Sequence, residues 1–232
     1  MNKVLYIVLI SLFSLTVISC AKKSDSSSTT SSSVSFVAVG SSGTLITSSD
    51  GTSWTSRTSG TTYNLCGVTY ANSIFVIVGA NGTILTSSDG TSWDNKTSGT
   101  TLYLSGVTYG NSKFVAVGGY GYDNGTILTS SDGTTWTTKT SGATYANWGT
   151  TYGNSTFVTV GPSGSIFTSS DGTTWTSRTS GITNHMWGLT YGNNTFVTVS
   201  YGGDILTSSD GISWTSRTSG TTAILSDVTY KE

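Results

Sequence analysis

Charge is scarce in this 232-residue chain: 9 % of its residues are Asp, Glu, Lys or Arg, and the formal net charge is -1. A nucleic-acid surface needs a Lys/Arg-rich face, and 10 basic residues set against 11 acidic ones do not build one. The chain has one Pro, one His (His185) and one Glu (Glu232). Two cysteines, Cys20 and Cys66, are too few for a disulfide framework. Beyond the first twenty residues no apolar stripe recurs with the 3.6-residue period of a helix. What remains is rich in small and ring-bearing residues: 42 Ser, 45 Thr, 29 Gly, 12 Tyr, 7 Trp and 7 Phe. Hydroxyl-rich sequence alone would read as disorder, but the Trp content and evenly spaced apolar quartets oppose that. β-Branched and aromatic residues punctuated by Gly read as an all-β body.

That body is one unit written five times. Ser-Ser-Asp-Gly begins at Ser48, Ser87, Ser130, Ser169 and Ser208, spaced 39, 43, 39 and 39 residues apart. A fixed period near 40 implies a repeat architecture, and the single long interval, around Gly119–Asn124, belongs in a loop. Each unit divides into four strand-like pieces, A to D. In the second unit these are Gly67–Tyr70, Phe75–Val78, Thr83–Ser87 and Trp93–Thr97. Piece B is a continuous apolar run, as in a strand covered on both faces. Four antiparallel strands per unit, the middle ones covered by neighbours, describe a β-propeller blade. A strands are expected near Val68, Val107, Thr150, Leu189 and Val228.

The first unit begins at strand B (Phe36–Val39) and lacks an A; the sequence finishes on a lone A (Asp227–Tyr230). The two fragments add up to one blade. The expected fold is therefore a five-bladed β-propeller over residues 34–232, its ring closed by the C-terminal strand pairing into the first blade, which removes the open edge. An open stack of units would instead want a polar cap at each end.

The first twenty residues read as an address. Met1-Asn2-Lys3 is a short basic start, Val4–Val17 is almost wholly apolar, and Val17-Ile18-Ser19-Cys20 follows. Basic start, apolar core and small residue before the break make a signal peptide, over residues 1–19. Val17–Cys20 resembles the lipobox of bacterial lipoproteins. That resemblance implies cleavage before Cys20 and its modification with lipid, including palmitate, as the membrane anchor. Residues 20–33 continue as a Ser/Thr-rich stretch that cannot bury a core and reads as a tether. Ala21, rather than Asp, after the cysteine leans the resemblance towards the outer membrane of the cell envelope. With Cys20 used for lipid, Cys66 has no partner for an intramolecular disulfide.

Each unit carries an Asp and a Trp four residues later: Asp50 and Trp54, Asp89 and Trp93, Asp132 and Trp136, Asp171 and Trp175, Asp210 and Trp214. The segment resembles a shortened Asp-box, or BNR repeat. That motif is known from sialidases, photosystem II assembly factors and many bacterial propellers. An Asp side chain accepts hydrogen bonds from backbone N–H groups just ahead of it, Gly supplies positive φ, and the Trp ring can fold over the turn. Calcium binding is the functional alternative, but one carboxylate per turn falls far short of six to eight oxygens. A structural role, with no metal and no cofactor, is expected.

Sialidase chemistry, as the resemblance implies it, needs an Arg triad, a Tyr–Glu pair and an acid/base Asp. Here Arg57, Arg178 and Arg217 hold equivalent D-strand positions, with Lys96 and Lys139 in the other two units, so they cannot converge on one carboxylate. No Glu is placed beside a Tyr, and glycoside hydrolysis in general needs two carboxylates at a set separation. Outside the turns and the tether only Asp94, Asp123, Asp204 and Asp227 remain. Asp227 stands where the other A strands have glycine (Gly67, Gly106, Gly149, Gly188), so it is placed either to face the channel or to sit at a frayed end. No Ser/His/Asp set, Cys/His pair or metal cluster has the required spacing. The chain reads as a non-enzyme.

Where the units differ is in the D–A and B–C links, which in propellers share one face; the A–B and C–D turns are nearly uniform. Tyr63, Tyr103, Tyr120, Tyr122, Tyr145, Trp148, His185, Trp187 and Tyr201 fall in these links or at the start of strand A. Variable loops on a rigid scaffold are the usual layout of a binding surface. The expectation is a lipid-tethered, monomeric binding module that takes a glycan or a protein. The rival readings are an assembly lipoprotein docking envelope proteins, and aromatic residues that merely plug the channel.

Overall fold

The computed structural model describes residues 33–120, 124–139 and 146–231. The proposed leader, Cys20 and most of the tether lie outside the described residues, as do Tyr122, Asp123 and Tyr145. Among the described residues five antiparallel sheets follow one another along the chain. The first holds β1 (Phe36–Val39), β2 (Leu45–Ser48) and β3 (Thr55–Ser56). The second holds β4 (Leu65–Ala71), β5 (Ile74–Gly79), β6 (Ile84–Ser87) and β7 (Asp94–Lys96). The third holds β8 (Leu104–Gly110), β9 (Lys113–Tyr120), β10 (Asn124–Ser130) and β11 (Thr137–Lys139). The fourth holds β12 (Gly149–Gly153), β13 (Thr156–Val160), β14 (Ile166–Ser169) and β15 (Thr176–Arg178). The fifth holds β16 (Met186–Gly192), β17 (Thr195–Ser200), β18 (Ile205–Ser208) and β19 (Thr215–Arg217). Short 3-10 turns link β1 to β2, β5 to β6 and β13 to β14. No helix among the described residues is long and apolar enough to cross a membrane.

The apolar quartets explain the stacking. Side chains alternate across a strand, so a continuous run such as Val76-Ile77-Val78 presents apolar groups to both faces, and all three are fully buried. Val37, Val39 and Leu45 cluster with Phe75, Ile77 and Leu85 of the next sheet. Val76, Val78 and Ile84 then meet Phe114, Ala116 and Leu128. Val115, Val117 and Ile127 meet Phe157 and Phe167. Val158, Val160 and Ile166 meet Phe196 and Leu206. Each joint repeats one arrangement, and each buried side chain of this size stabilises it by about 1.5–3 kcal/mol.

The A strands β4, β8, β12 and β16 run side by side along the inner edge of the stack. The segment after β19 occupies the next place in that series. Leu225 N–H donates to the Ser200 carbonyl at 3.1 Å, as Leu65 does to Gly40 (2.9 Å), Asn147 to Gly118 (3.0 Å) and Met186 to Gly161 (3.0 Å). The Tyr230 ring lies against Gly192, as Tyr152 lies against Gly110 and Tyr191 against Gly153. Here the structure differs from the sequence expectation. Residues 225–230 are not a strand, and the first sheet stays three-stranded, with no ladder from this segment to β1. Without a B-strand partner the segment's backbone is unpaired along that edge, and most of its residues are exposed.

Candidate functional site

The two ends of the strands differ in what they display. At one end the A–B and C–D turns meet. Asn111 Nδ2 donates to the Ser170 carbonyl (3.0 Å), Asn154 Nδ2 to Ser209 (3.0 Å) and Lys113 Nζ to the Asp171 carbonyl (3.0 Å), so the A–B turns of the third and fourth sheets are tied to the C–D turn of the next sheet. Within each C–D turn the Asp carboxylate accepts from backbone N–H groups just ahead of it: Asp89 Oδ1 accepts from those of Thr91 (2.7 Å) and Ser92 (2.9 Å). The same pair of bonds recurs at Asp50, Asp132, Asp171 and Asp210.

Four Trp indoles fold back to donate to the turn glycine: Trp93 to Gly90 (3.2 Å), Trp136 to Gly133 (2.8 Å), Trp175 to Gly172 (3.2 Å) and Trp214 to Gly211 (2.9 Å). Trp54, on the first sheet, is 39 % exposed. A further participant was not anticipated from the sequence, the serine that opens the motif. Ser87 Oγ accepts from the Gly90 N–H (2.8 Å) and donates to Asp89 (3.0 Å), and Ser48, Ser130, Ser169 and Ser208 do the same. Its signal was visible in the invariant first Ser of the motif.

These bonds hold all five turn carboxyls below the usual carboxylate range, and Asp50, Asp89, Asp132 and Asp171 well below it. At Asp50, Asp132 and Asp210 the largest cause is the N–H of Ser53, Thr135 and Ser213; at Asp89 and Asp171 it is the hydroxyl of Thr91 and Thr173. The carboxylates are thus engaged by their own turns. Among the described residues no three His, Cys, Asp or Glu side chains gather into a group able to hold a metal ion.

At the other end the B–C and D–A links are hydrogen-bonded to one another. Ser42 N–H donates to Asn64 Oδ1 (2.9 Å), Ser163 N–H to His185 Nδ1 (3.1 Å), and Tyr201 N–H to the His185 carbonyl (2.9 Å). Asp204, one of the carboxylates considered for catalysis, accepts from Ser200 Oγ (2.6 Å) and Asn184 Nδ2 (2.9 Å) and so ties two links together.

The structure brings four of the aromatic candidates together. Trp148 and Trp187, one repeat apart at the head of consecutive A strands, stack with ring centroids 4.3 Å apart and planes at 20°. His185 meets Trp148 edge-on at 5.5 Å, and Tyr201 meets both Trp187 and His185 at 5.8 Å. Trp187 remains 40 % exposed, so this cluster is not a buried plug.

The other described candidates stand apart from this cluster. Tyr63 and Tyr120 are exposed, at 49 % and 78 %. Tyr103 lies over the second sheet, where its hydroxyl accepts from Cys66 Sγ at 2.7 Å. Burial pushes the Cys66 thiol up, which leaves it a poor nucleophile. Arg57, Arg178 and Arg217 each donate Nε to a threonine of the adjoining strand (Thr47, Thr168, Thr207) and sit one to a sheet. Asn147 was missed. It fills a place held by Leu65, Leu104 and Met186 in the other sheets, is fully buried, and neither polar atom of its amide has a partner among the described residues.

No family model and no curated protein matches this sequence. Solved structures do match in fold. One is YCF48 bound to D1 peptide: 20 % identity, TM-score 0.60, with 78 % of this chain and 62 % of that chain covered. A second is YCF48 from Cyanidioschyzon merolae, at 16 % identity and TM-score 0.55, covering 72 % and 59 % of the two chains. A third is the WD40 beta propeller domain of Doa1, at 14 % identity and TM-score 0.56, covering 75 % and 60 %. The chain therefore has a β-propeller type of fold, and its matches span about three fifths of the length of these neighbours.

Proposed function

We propose that this chain is a non-enzymatic protein-binding module that takes an extended peptide or an apolar protein segment on the face where the B–C and D–A links meet. The observation that carries this reading is the Trp148–Trp187 stack, rimmed by His185 and Tyr201, with Trp187 open to solvent. Aromatic side chains supply large, stiff contact area and are enriched in protein interfaces. Ile224, 55 % exposed, adds apolar surface on the segment that docks beside β16. The polar groups around the stack are engaged with one another: Asn184 with Asp204, and His185 with Ser163. That favours an apolar peptide side chain over a glycan, whose hydroxyls would want unengaged donors and acceptors. The neighbour solved with a bound peptide supports the same class of ligand. The proposed ligand-contacting set also includes Tyr63, Tyr103 and Tyr120, which stand apart from the stack, and Tyr122 and Tyr145, which lie outside the described residues.

The same proposal includes the setting and the frame. Cys20 carries the lipid after removal of residues 1–19, residues 20–33 tether the body, and the module works as a monomer at the bacterial cell envelope, on the outer membrane. The turns are Asp-box turns with a structural role. The platform is a ring of five blades, completed when residues 225–230 pair into the first blade. Screening the full-length protein against arrays of envelope peptides and of glycans tests the function. Peptide hits lost in Trp187→Ala, with folding retained, are expected; glycan hits alone would overturn the peptide reading. Mass spectrometry of Cys20 tests the anchor: an unmodified cysteine would refute it.

A further inference from the structure

Four of the five A positions carry glycine at one point, and contact explains why. A side-chain carbon added to Gly67 would stand 3.1 Å from Gly106 Cα, and one on Gly106 3.2 Å from the Trp148 carbonyl oxygen. On Gly149 it would stand 2.6 Å from the Trp187 carbonyl oxygen, and on Gly188 2.6 Å from Asp227 Cα. Each glycine faces the backbone of the next A strand, and the strands touch there. The fifth position is Asp227. By the repeat its side chain points at the strand that would follow it in a closed ring, which is β4 at Gly67.

Other signs fall on the same joint. The tyrosines of later A strands lie against Gly110, Gly153 and Gly192, whereas the matching contact for Tyr70 would be Lys231, and Tyr70 is 41 % exposed. The turn glycines Gly90, Gly133, Gly172 and Gly211 are buried against side chains of the preceding sheet (Val34, Ile74, Val115 and Val158), but Gly51 is exposed and meets only Phe36 of its own sheet. Phe36, Ala38 and Ile46 on the first sheet, and Val197 and Ile205 on the last, are half-buried where their equivalents Phe75, Ile77, Leu85, Val158 and Ile166 are buried.

We infer that the joint between the last sheet, with residues 225–231 docked on it, and the first sheet with the neighbouring β4 is a seam, wedged by Asp227 against β4, at which the ring opens while its other four joints hold. A Cβ and carboxylate in place of glycine force a wider strand spacing here than at the glycine joints. This inference rests on the ring reading proposed above.

Hydrogen exchange on the full-length protein tests it, with Asp227→Gly and Asp227→Asn for comparison. In the parent, amides 36–39 and 226–230 should be protected, yet exchange at least about tenfold faster than those of β16. Asp227→Gly should slow them about tenfold, while Asp227→Asn, equal in bulk, should leave them as in the parent. No slowing in Asp227→Gly, or parent amides 226–230 as protected as β16, would overturn the seam and leave the ring standing. Full exposure of both segments in parent and Asp227→Gly alike would overturn the ring itself. A stable dimer of the parent with both segments protected would also overturn it, by placing the joint between two copies.

Discussion

The two ends of the strands teach different lessons because the same scaffold treats them oppositely. At the C–D end, five copies of one turn make one set of Ser, Asp and Gly bonds, and in four of them the Trp indole joins it. At the B–C and D–A end, the links share only their hydrogen-bonded backbone, and their side chains diverge into an aromatic cluster around Trp148 and Trp187. Uniformity marks the part that stabilises every unit in the same way. Divergence marks the part where one unit can do what its neighbours do not.

Changing one tryptophan at each end breaks that comparison open with the largest expected effect. Trp136 is 9 % exposed and bonded to Gly133, so Trp136→Ala should destabilise the fold by about 3–5 kcal/mol in denaturant titration. Trp187→Ala, at a side chain 40 % exposed, should cost only about 1 kcal/mol and remove peptide binding instead. Equal losses of stability would erase the distinction between the two ends.

The next effect has the opposite sign. Asn147→Leu restores the apolar residue found at Leu65 and Leu104 and removes two unpartnered buried polar atoms. It should raise stability by about 1–3 kcal/mol. Destabilisation on this change would show that the amide has a partner in the working protein.

At the turns, Asp89→Ala removes an acceptor of two backbone N–H groups and should lower Tm by about 2–4 °C, with no calcium-dependent shift in parent or variant. A calcium shift lost in the variant would make the turn a metal site. The turn carboxyls are lowered in the folded state, so the unfolded chain takes up protons first as pH falls. Their contribution is complete above the unfolded carboxylate value, about 3.9, and is lost as pH drops below it towards the lower folded values. Thermal melts between pH 5 and 2 should show Tm falling through that window, less steeply in Asp89→Ala.

Much of the fold was legible because repetition multiplies weak signals. One Phe-Val-Ala-Val quartet says little, but quartets at Phe36, Phe75, Phe114, Phe157 and Phe196 fix a series of B strands, and these are the strands that stack. The aromatic site was half legible. Trp148 and Trp187 stand one repeat apart, which places them side by side, whereas their stacking and the edge-on rings of His185 and Tyr201 depend on loop paths that no period encodes. The pairing of the terminal segment with β1 was read from completeness of the unit alone. Strand count says nothing of spacing, and the structure shows no ladder between that segment and β1.

The most direct test of the account is peptide binding measured side by side for the parent, Trp187→Ala and Asp89→Ala, each checked for folding. The account predicts binding by the parent and by Asp89→Ala, and none by Trp187→Ala. Binding that survives in Trp187→Ala but disappears in Asp89→Ala would put the ligand on the opposite end and contradict it.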